Sequence, residues 1–574
     1  MYLSPKVIRG HPYYYILTSK RGVNKHWKET DLYLGRLDNL TSAEARAKLD
    51  EIHSLHDLAL TREVEAVLIR AGHQINPSLD SLDLMAVRSY GPELALVRIA
   101  EQLDLVQTIE EHSPKGGGPS LGKMTLALAI YANQRPGSVL RFVEWYRRSP
   151  LPIFLELPPE EVTYDTALNT LDYLQPEMTR PIEAKTYARI CETFQYRCER
   201  VDIDSTVVEL NGALCGVLAK FGRPKKGNKS KRPQILITFF IDQKSVMLGH
   251  EVFPGNKNDS KTLCAIDKRL HKDYDAEVQQ ARRVVDRGYA SLTNVRAMKM
   301  RKEHFLVALR AHPKRLKLLE EIGIPQKDWN EIAKGVRAAS VVKGNLKWAV
   351  SWSDEVAERK EDGRGSKLKN AREKLKDLAK SVKEGRIKSR AERDQKVGAI
   401  LRKFGVGKFL HIHGARKGFG FTVEETGKAS VKAKEDGFQV FVTTELDMTD
   451  REVVESYRAR DRIEKAIRTL KHCLGLGPIY VTTKEHVLGN IYVHALAYQL
   501  RAVMELELKE AHLDMSAEEA LWELEQFQVA ELAIRGETVE VIRKLTTPKG
   551  KVQTLVHVMS LAGEHGFPGV KESI

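Results

Sequence analysis

The residue pattern that begins at Arg200 constrains the fold most strongly. "RVDIDSTVVEL", "PQILITFFID" and "SVMLGHEVFPGN" are apolar, β-branched runs of strand length. "DSKTLCAIDKRL" then has helical spacing, and "ARRVVDRG" and "HFLVALR" read as two further short strands. Since strands and helices alternate here, the sequence predicts a mixed sheet flanked by helices, and a multidomain α/β protein overall.

The chain carries a large positive charge. Its formal net charge is +15 and its pI is about 9.3, which favours a polyanionic partner, most simply nucleic acid. An ordinary basic enzyme remains the alternative. "KFGRPKKGNKSKRP", from Lys220 to Pro233, has seven cations and no acid, Lys225 and Lys226 among them. We predict that this loop contacts a phosphate backbone, the alternative being a solvated loop without a ligand.

Cysteine usage and hydropathy indicate a cytoplasmic protein. The five cysteines form no C-x-x-C pair, which makes a zinc site or a disulfide framework unfavoured and fits a reducing compartment. The most apolar helical stretch begins at Ile491 but contains Arg501, Glu505 and Glu507. Its pattern is typical of a buried helix, so we expect no membrane partner.

The stretch "YRARDRIEKAIRTLK", from Tyr457 to Lys471, is predicted as one continuous helix. On a helical wheel its apolar residues face a core and most of its charges face water. Tyr457, Arg460, Glu464 and Lys471 form a narrow polar stripe at the border between these two faces. Glu464 could pair with Arg460 one turn away, or it could bind a cation.

Two aspartates on the predicted strands favour the cation. Asp204 lies on the first strand and Asp286 ends the fourth, although an ordinary turn residue is the alternative for Asp286. If these strands are neighbours the two acids meet, and Glu464 can complete a site with three carboxylates. All-oxygen ligands select Mg²⁺ or Mn²⁺ over zinc, and two such ions serve phosphoryl transfer in many enzymes. Asp202 lies on the same strand face as Asp204 and is a competing candidate.

These residues carry a resemblance. The spacing Y-x2-R-x3-E-x6-K from Tyr457 to Lys471, together with "DST" at Asp204 and "DRG" at Asp286, resembles the insertion-sequence-four superfamily of bacterial DDE transposases. "EVFPGNKNDSKTL" and the N-terminal "LYLGRLD" resemble segments of its sixteen-thirty-four branch.

The resemblance implies an RNase H-like core in which Asp204, Asp286 and Glu464 are the catalytic residues and bind two Mg²⁺ or Mn²⁺ ions. It also implies that Tyr457, Arg460 and Lys471 contact transposon-end DNA near the scissile phosphate, and we add Arg287 as a candidate contact. The partners would be double-stranded DNA and, in the synaptic complex, a second copy of the chain. The expected location is the cytoplasm, at the bacterial nucleoid.

The spacing of the acids predicts an inserted domain, because a plain loop does not span the gap between Asp286 and Glu464 in a compact fold. The predicted segments are a β-hairpin region (1–40), a helical DNA-end-binding region (41–199), the first part of the core (200–311), the insertion (312–436), the second part of the core with Glu464 (437–510), and a C-terminal helix with a β-rich tail (511–574).

Three functions remain open from the sequence. The leading hypothesis is a cut-and-paste transposase that binds terminal inverted repeats, cleaves with Mg²⁺ and joins the 3′ end to target DNA. The second is an inactive or domesticated relative that only binds DNA. The third is an RNase H-like nuclease without strand transfer.

Overall fold

The computed structural model describes residues 1–21, 26–55, 57–73, 82–211, 216–222, 232–309, 313–324, 329–415, 419–429, 435–534 and 540–561. The chain forms two compact units. The first comprises Met1–Ile182, Cys473–Gly475 and Leu488–Ile574, and the second comprises Glu183–His472 and Leu476–Val487.

The first unit begins with an antiparallel sheet of strands β1 (Tyr2–Ile8), β2 (His11–Arg21) and β3 (His26–Gly35). β2 and β3 pair with each other within the region 1–40, where the sequence predicted a β-hairpin. The buried side chains of this sheet pack with those of the helices Ser42–His53 and Leu58–Arg70 in one apolar cluster. These helices therefore owe their position to their apolar faces rather than to helix propensity alone.

Strand β4 (Leu82–Ser89) lies in the range expected to be mostly helical. It pairs with β16 (Gln528–Ile534), which in turn pairs with β17 (Glu540–Leu545). A partner more than 400 residues away decides the conformation of this short segment, and local pattern does not reveal such a partner.

The remaining helices of the first unit are Gly91–Gln102, Leu105–Glu111, Leu121–Gln134, Val139–Arg148, Leu151–Phe154, Tyr164–Tyr173, Ala517–Leu524 and Lys551–Val558. Two further helices contribute residues to both units, namely Pro176–Thr193 and Lys484–Glu510. No helix within the described residues is long and apolar enough to cross a bilayer.

The second unit contains a nine-stranded mixed sheet. Its strands are β5 (Arg200–Glu209), β6 (Gln234–Asp242), β7 (Met247–Pro254), β8 (Arg282–Val285), β9 (Phe305–Leu309), β10 (Asn330–Ala333), β11 (Val336–Val342), β12 (Lys347–Ser353) and β15 (Phe438–Thr443). They lie in the order β10-β11-β12-β15-β9-β8-β5-β6-β7. β5, β6 and β7 are antiparallel, β8 and β9 continue parallel to β5, and β15 returns antiparallel.

The helices of this unit follow and connect the strands. They are Leu263–Asp273, Ala276–Gln280, Leu292–Met300, Pro313–Glu321, Asp354–Lys383, Arg390–Phe404, Asp450–Arg458 and Asp461–Arg468. β6 is buried along its whole length, which explains its mainly apolar sequence.

The range 312–436 has two structurally different parts. Strands β10, β11 and β12 extend the nine-stranded sheet, so this part is continuous with the core. The helices Asp354–Lys383 and Arg390–Phe404, with strands β13 (Leu410–Gly414) and β14 (Phe421–Glu425), share an apolar cluster of their own. We call these two helices and two strands the arm.

The long helix of the arm follows from its sequence. Ser353 caps its first turn by accepting a hydrogen bond from the Val356 amide. Its buried residues recur at helical spacing amid charges and are Leu368, Ala371, Leu375 and Leu378.

Candidate active site

The sheet brings Asp204 and Asp286 to neighbouring positions. β5 and β8 are parallel, and Ile203 pairs with Val285, the last residue of β8. The next residue of each segment is an aspartate, so the two acids follow one another in register at this end of the sheet. Parallel neighbours place equivalent ends side by side, as the sequence had suggested.

The prediction of one continuous helix from Tyr457 to Lys471 is wrong. One helix ends at Arg458, the next covers Asp461–Arg468, and one π-helical turn covers Thr469–Cys473. Around the first break the backbone makes tighter bonds between residues three apart, from the Arg460 amide to the Tyr457 carbonyl (3.1 Å) and from the Ile463 amide to the Arg460 carbonyl (3.1 Å). The helical wheel missed both breaks because it assumed one constant rotation per residue.

Arg460 lies at the centre of the three acids. Its Nη2 atom is 3.0 Å from Asp204 Oδ2, and its Nη1 atom is 3.7 Å from both Asp286 Oδ1 and Glu464 Oε1. The Arg460 side chain is only 6% exposed. One buried guanidinium therefore joins carboxylates from β5, from the end of β8 and from the Asp461–Arg468 helix.

Tyr457 contacts the same group of acids. Its Oη donates a hydrogen bond of 2.9 Å to Asp286 Oδ1, and its ring packs against Phe441 of β15. Burial raises the pKa of the Tyr457 phenol, so it stays protonated and donates. Burial also tends to raise the pKa of Asp286, but the Arg460 charge and the Tyr457 hydrogen bond outweigh it and the net shift of that pKa is downward.

Glu464 is the most exposed of the three acids, at 58% of its side chain. It is held on its helix by the buried residues Ile463 and Ala466, whose burial agrees with the apolar face expected from the sequence. Its only described ion pair is the 3.7 Å contact with Arg460. Glu464 can therefore move toward a ligand at small cost.

The other candidate DNA contacts lie beside this group or outside the described residues. Lys471 Nζ donates a 2.8 Å hydrogen bond to the Val207 carbonyl of β5. Arg287 directly follows Asp286, and its charge contributes to the lowered pKa of that aspartate. Lys225 and Lys226 belong to a stretch that the structure does not describe.

Asp202 has a different environment from Asp204. It is fully buried and accepts from the guanidinium of Arg200, with Nη2 at 2.6 Å and Nε at 3.1 Å, while Arg462 Nε lies 3.7 Å away. Arg200 also donates to the backbone of Ser456. Burial raises the pKa of Asp202 in spite of these cations. Asp202 thus ties β5 to the segment that carries Tyr457 and Arg460.

Sequence reasoning missed Arg200 and Arg462 as partners of Asp202. A signal for Arg200 exists, because residues two apart on a strand share a face and "RVD" places an arginine beside the acid. Arg462 carries no such signal, since its contact depends on how its helix packs on the sheet.

A second set of residues supports the Asp204 strand from within the sheet. The buried Tyr289 hydroxyl hydrogen-bonds with Ser205, which follows Asp204, and Ser205 also hydrogen-bonds with Thr238 at 3.0 Å. The loop after β8 lies close to the "GNKNDSK" segment, since a Cβ at Gly288 would lie 3.0 Å from Asp259 Oδ2.

The three acids fit a divalent cation by donor type, since all their ligand atoms are carboxylate oxygens. They already surround one cation, the Arg460 guanidinium. Among the residues that the structure describes, no three Asp, Glu, His or Cys side chains are close enough to hold one metal ion.

Comparison with models of known protein families assigns the chain to a family. The family model described as "Transposase DDE domain" matches residues 198–500, which is more than half of the chain. A search of curated proteins finds no match.

Two solved structures are similar at low identity. One is the cryo-EM structure of a piggyBac transposase synaptic complex with hairpin DNA, at 8% identity, covering 76% of this chain and 80% of that chain with a TM-score of 0.38. The other is a Mos1 transposase paired-end complex with the left transposon end, at 12% identity, covering 46% and 77% with a TM-score of 0.14. The assignment rests on the domain match, by which the chain belongs to the family of transposases with a DDE domain.

Proposed function

We propose that this protein is a cut-and-paste transposase. It binds the terminal inverted repeats of a mobile element, cleaves the DNA at the element's ends, and joins the 3′ ends to target DNA. We further propose that its core is RNase H-like, that it belongs to the sixteen-thirty-four branch of the insertion-sequence-four superfamily, and that two copies pair the ends at the nucleoid.

The observation that carries this proposal is the meeting of three acids from distant parts of the chain. Asp204, Asp286 and Glu464 all lie within 3.0–3.7 Å of one guanidinium, although 260 residues separate the first from the last. Such a cluster is electrostatically costly without a positive partner. Its assembly beside candidate phosphate-binding cations favours phosphoryl transfer over a role in stability alone.

We assign Asp204, Asp286 and Glu464 as the catalytic ligands of Mg²⁺ or Mn²⁺. When bound, two such ions supply a nucleophilic oxygen at neutral pH and charge stabilisation at the scissile phosphate. The protein's part is to hold the carboxylates: β5 and the end of β8 position two of them, and Glu464 on the Asp461–Arg468 helix would supply the third.

We assign the surrounding cations to the DNA. The Arg460 guanidinium can bind a phosphate with two hydrogen bonds, and Lys471 and Arg287 can each neutralise one phosphate as a point charge. Tyr457 can donate to a phosphate oxygen or stack on a base. Lys225 and Lys226 extend the contact along the DNA backbone.

The test begins with the DNA that flanks this reading frame, where we expect matched inverted repeats bounded by a short direct duplication. A plasmid carrying those repeats is incubated with the purified protein, Mg²⁺ and a target plasmid. We expect cleavage at both repeats and joined products. Asp204→Asn, Asp286→Asn and Glu464→Gln should each reduce cleavage at least about a thousandfold while leaving DNA binding in place.

Asp461→Asn is the matched control for Glu464→Gln. Asp461 lies on the same helix, is 57% exposed and pairs with Lys465 at 3.0 Å. Its loss should leave cleavage unchanged. DNA binding without metal-dependent cleavage would favour a binding-only relative, and cleavage without joining of pre-cleaved ends would favour a nuclease.

A further inference from the structure

We propose that Arg460 takes the place of the divalent cation while the protein is free of DNA, so that metal ions bind only after Arg460 leaves the three carboxylates. This inference rests on the proposed function, because it concerns the same site. It makes Arg460 an internal competitor of the metal as well as a DNA contact.

Geometry supports the competition. Asp204, Asp286 and Glu464 each have an oxygen within 3.0–3.7 Å of an Arg460 terminal nitrogen. Mg²⁺ binds carboxylate oxygens at about 2.0–2.1 Å, so the three acids must close around an ion more tightly than they close around the guanidinium. A divalent ion and a guanidinium at such separations also repel each other. The two cations therefore exclude each other from the middle of the cluster.

Arg460 is incompletely bonded in this position. Only its contact with Asp204, at 3.0 Å, has hydrogen-bonding length, since the two contacts at 3.7 Å are too long. Its Nε is buried and has no hydrogen-bond partner among the described residues. A guanidinium has five N–H donors, and a phosphodiester can accept two of them in parallel. DNA in the site would therefore bond Arg460 better than the carboxylates do.

The two neighbouring candidate DNA contacts, Tyr457 and Lys471, also bind acceptors within the protein. Tyr457 donates to Asp286, and Lys471 donates to the Val207 carbonyl. These three side chains thus use protein acceptors in the DNA-free state. A phosphate backbone that withdrew them would expose the carboxylates to metal ions at the moment when the DNA substrate is present.

The test is a calorimetric titration of the full chain with Mn²⁺ in the absence of DNA, which measures the affinity for Mn²⁺. We expect the wild type to bind Mn²⁺ weakly and Arg460→Ala to bind it at least tenfold more tightly. Arg458→Ala is the matched control, because Arg458 is an exposed cation two residues away. Its Mn²⁺ affinity should equal that of the wild type. Adding Asp204→Asn to Arg460→Ala should abolish the gain.

A second variant keeps the proposal open to refutation. If circular dichroism shows that Arg460→Ala does not fold, Arg460→Gln removes the charge while leaving a longer side chain than alanine, and it should show the same gain. Equal Mn²⁺ affinities for the wild type and the folded Arg460 variant, in the absence of DNA, would overturn the competition.

A parallel titration distinguishes an error in the proposed competition between Arg460 and the metal from an error in the proposed function. Here the wild type is bound to a duplex that carries the flanking inverted repeat, and we expect Mn²⁺ to bind at least tenfold more tightly than without DNA. If no Mn²⁺ binds the wild type with this duplex or the Arg460 variant without it, the catalytic assignment itself is wrong. If Mn²⁺ binds the wild type with DNA while the Arg460 variant shows no gain without it, only the competition is wrong.

Discussion

The Tyr457 hydroxyl donates a 2.9 Å hydrogen bond to Asp286, and so links the segment before Glu464 to the end of β8. Tyr457→Phe removes this bond and keeps the packing of the ring against Phe441. We expect the free energy of unfolding to fall by about 1 kcal/mol, the usual net value of a hydrogen bond whose acceptor keeps other partners. Urea denaturation measures it, and an unchanged midpoint would show that the bond contributes nothing.

We expect the loss of Asp202 to affect mainly the stability of the protein, and the loss of Asp204 to affect mainly DNA cleavage. Asp202→Asn leaves Arg200 buried without its charge partner, so we expect about 3 kcal/mol of destabilisation. Asp204→Asn should destabilise the protein less than Asp202→Asn, because two other acids still face Arg460, but it should abolish cleavage. Thermal melts and plasmid cleavage on both variants check this, and an active Asp204→Asn beside a stable, inactive Asp202→Asn would exchange the two roles.

We expect Glu507, in the Lys484–Glu510 helix, to make the stability of the protein depend on pH. Burial raises the pKa of Glu507 to about 7, with Arg98 lowering it and Glu510 raising it further. Since the folded state holds this proton more tightly than the unfolded state, stability decreases as pH rises from about 4.5 to 7. Glu507→Gln should therefore stabilise the protein at pH 8 by roughly 1–3 kcal/mol and have little effect at pH 4.5.

Calorimetric melting temperatures of both proteins at the two pH values measure this difference. A stabilisation that is equal at pH 4.5 and pH 8 would contradict the assignment of the effect to the charge of Glu507.

The arm can be removed without opening the sheet. β12 and β15 are antiparallel neighbours, Trp352 pairs with Phe438, and the Ser353 amide donates to the Gly437 carbonyl at 3.1 Å. Replacing residues 355–436 by Asn-Gly should close these strands as a hairpin. We expect a folded protein that binds DNA more weakly and whose affinity depends less steeply on salt, because fewer DNA phosphates are neutralised by its lysines and arginines.

Circular dichroism and DNA titrations at several salt concentrations check this variant. We propose that the arm clamps DNA, and unaltered end cleavage and joining by the shortened protein would refute this proposal. Deleting the whole of 312–436 is a poorer experiment, because it removes β10, β11 and β12 from the sheet.

Much of the sheet that carries the acids could be predicted from local pattern. The apolar runs at β5, β6 and β7 have no competing periodicity, and the position of Asp286 after a short apolar strand anticipates its meeting with Asp204. Long-range pairing was not predictable: β4 is a strand because β16 lies beside it, and β10 joins the sheet through β11. Such partners are selected by tertiary packing.

The details of the candidate site also escaped the sequence. A tight turn at Arg460 and a π-helical turn at Lys471 differ from an α-helix by only one residue in hydrogen-bond spacing, which side-chain pattern does not distinguish. The wheel grouped Arg460 with Glu464, but it did not show that Arg460 reaches Asp204 and Asp286 as well.

The most direct measurement is anomalous X-ray diffraction from crystals of the protein bound to Mn²⁺ and end-containing DNA. The account predicts Mn²⁺ peaks ligated by oxygens of Asp204, Asp286 and Glu464 at about 2.0–2.6 Å, with Arg460 on a phosphate. Peaks ligated by other residues, with these three acids still paired to Arg460 in the DNA complex, would contradict it.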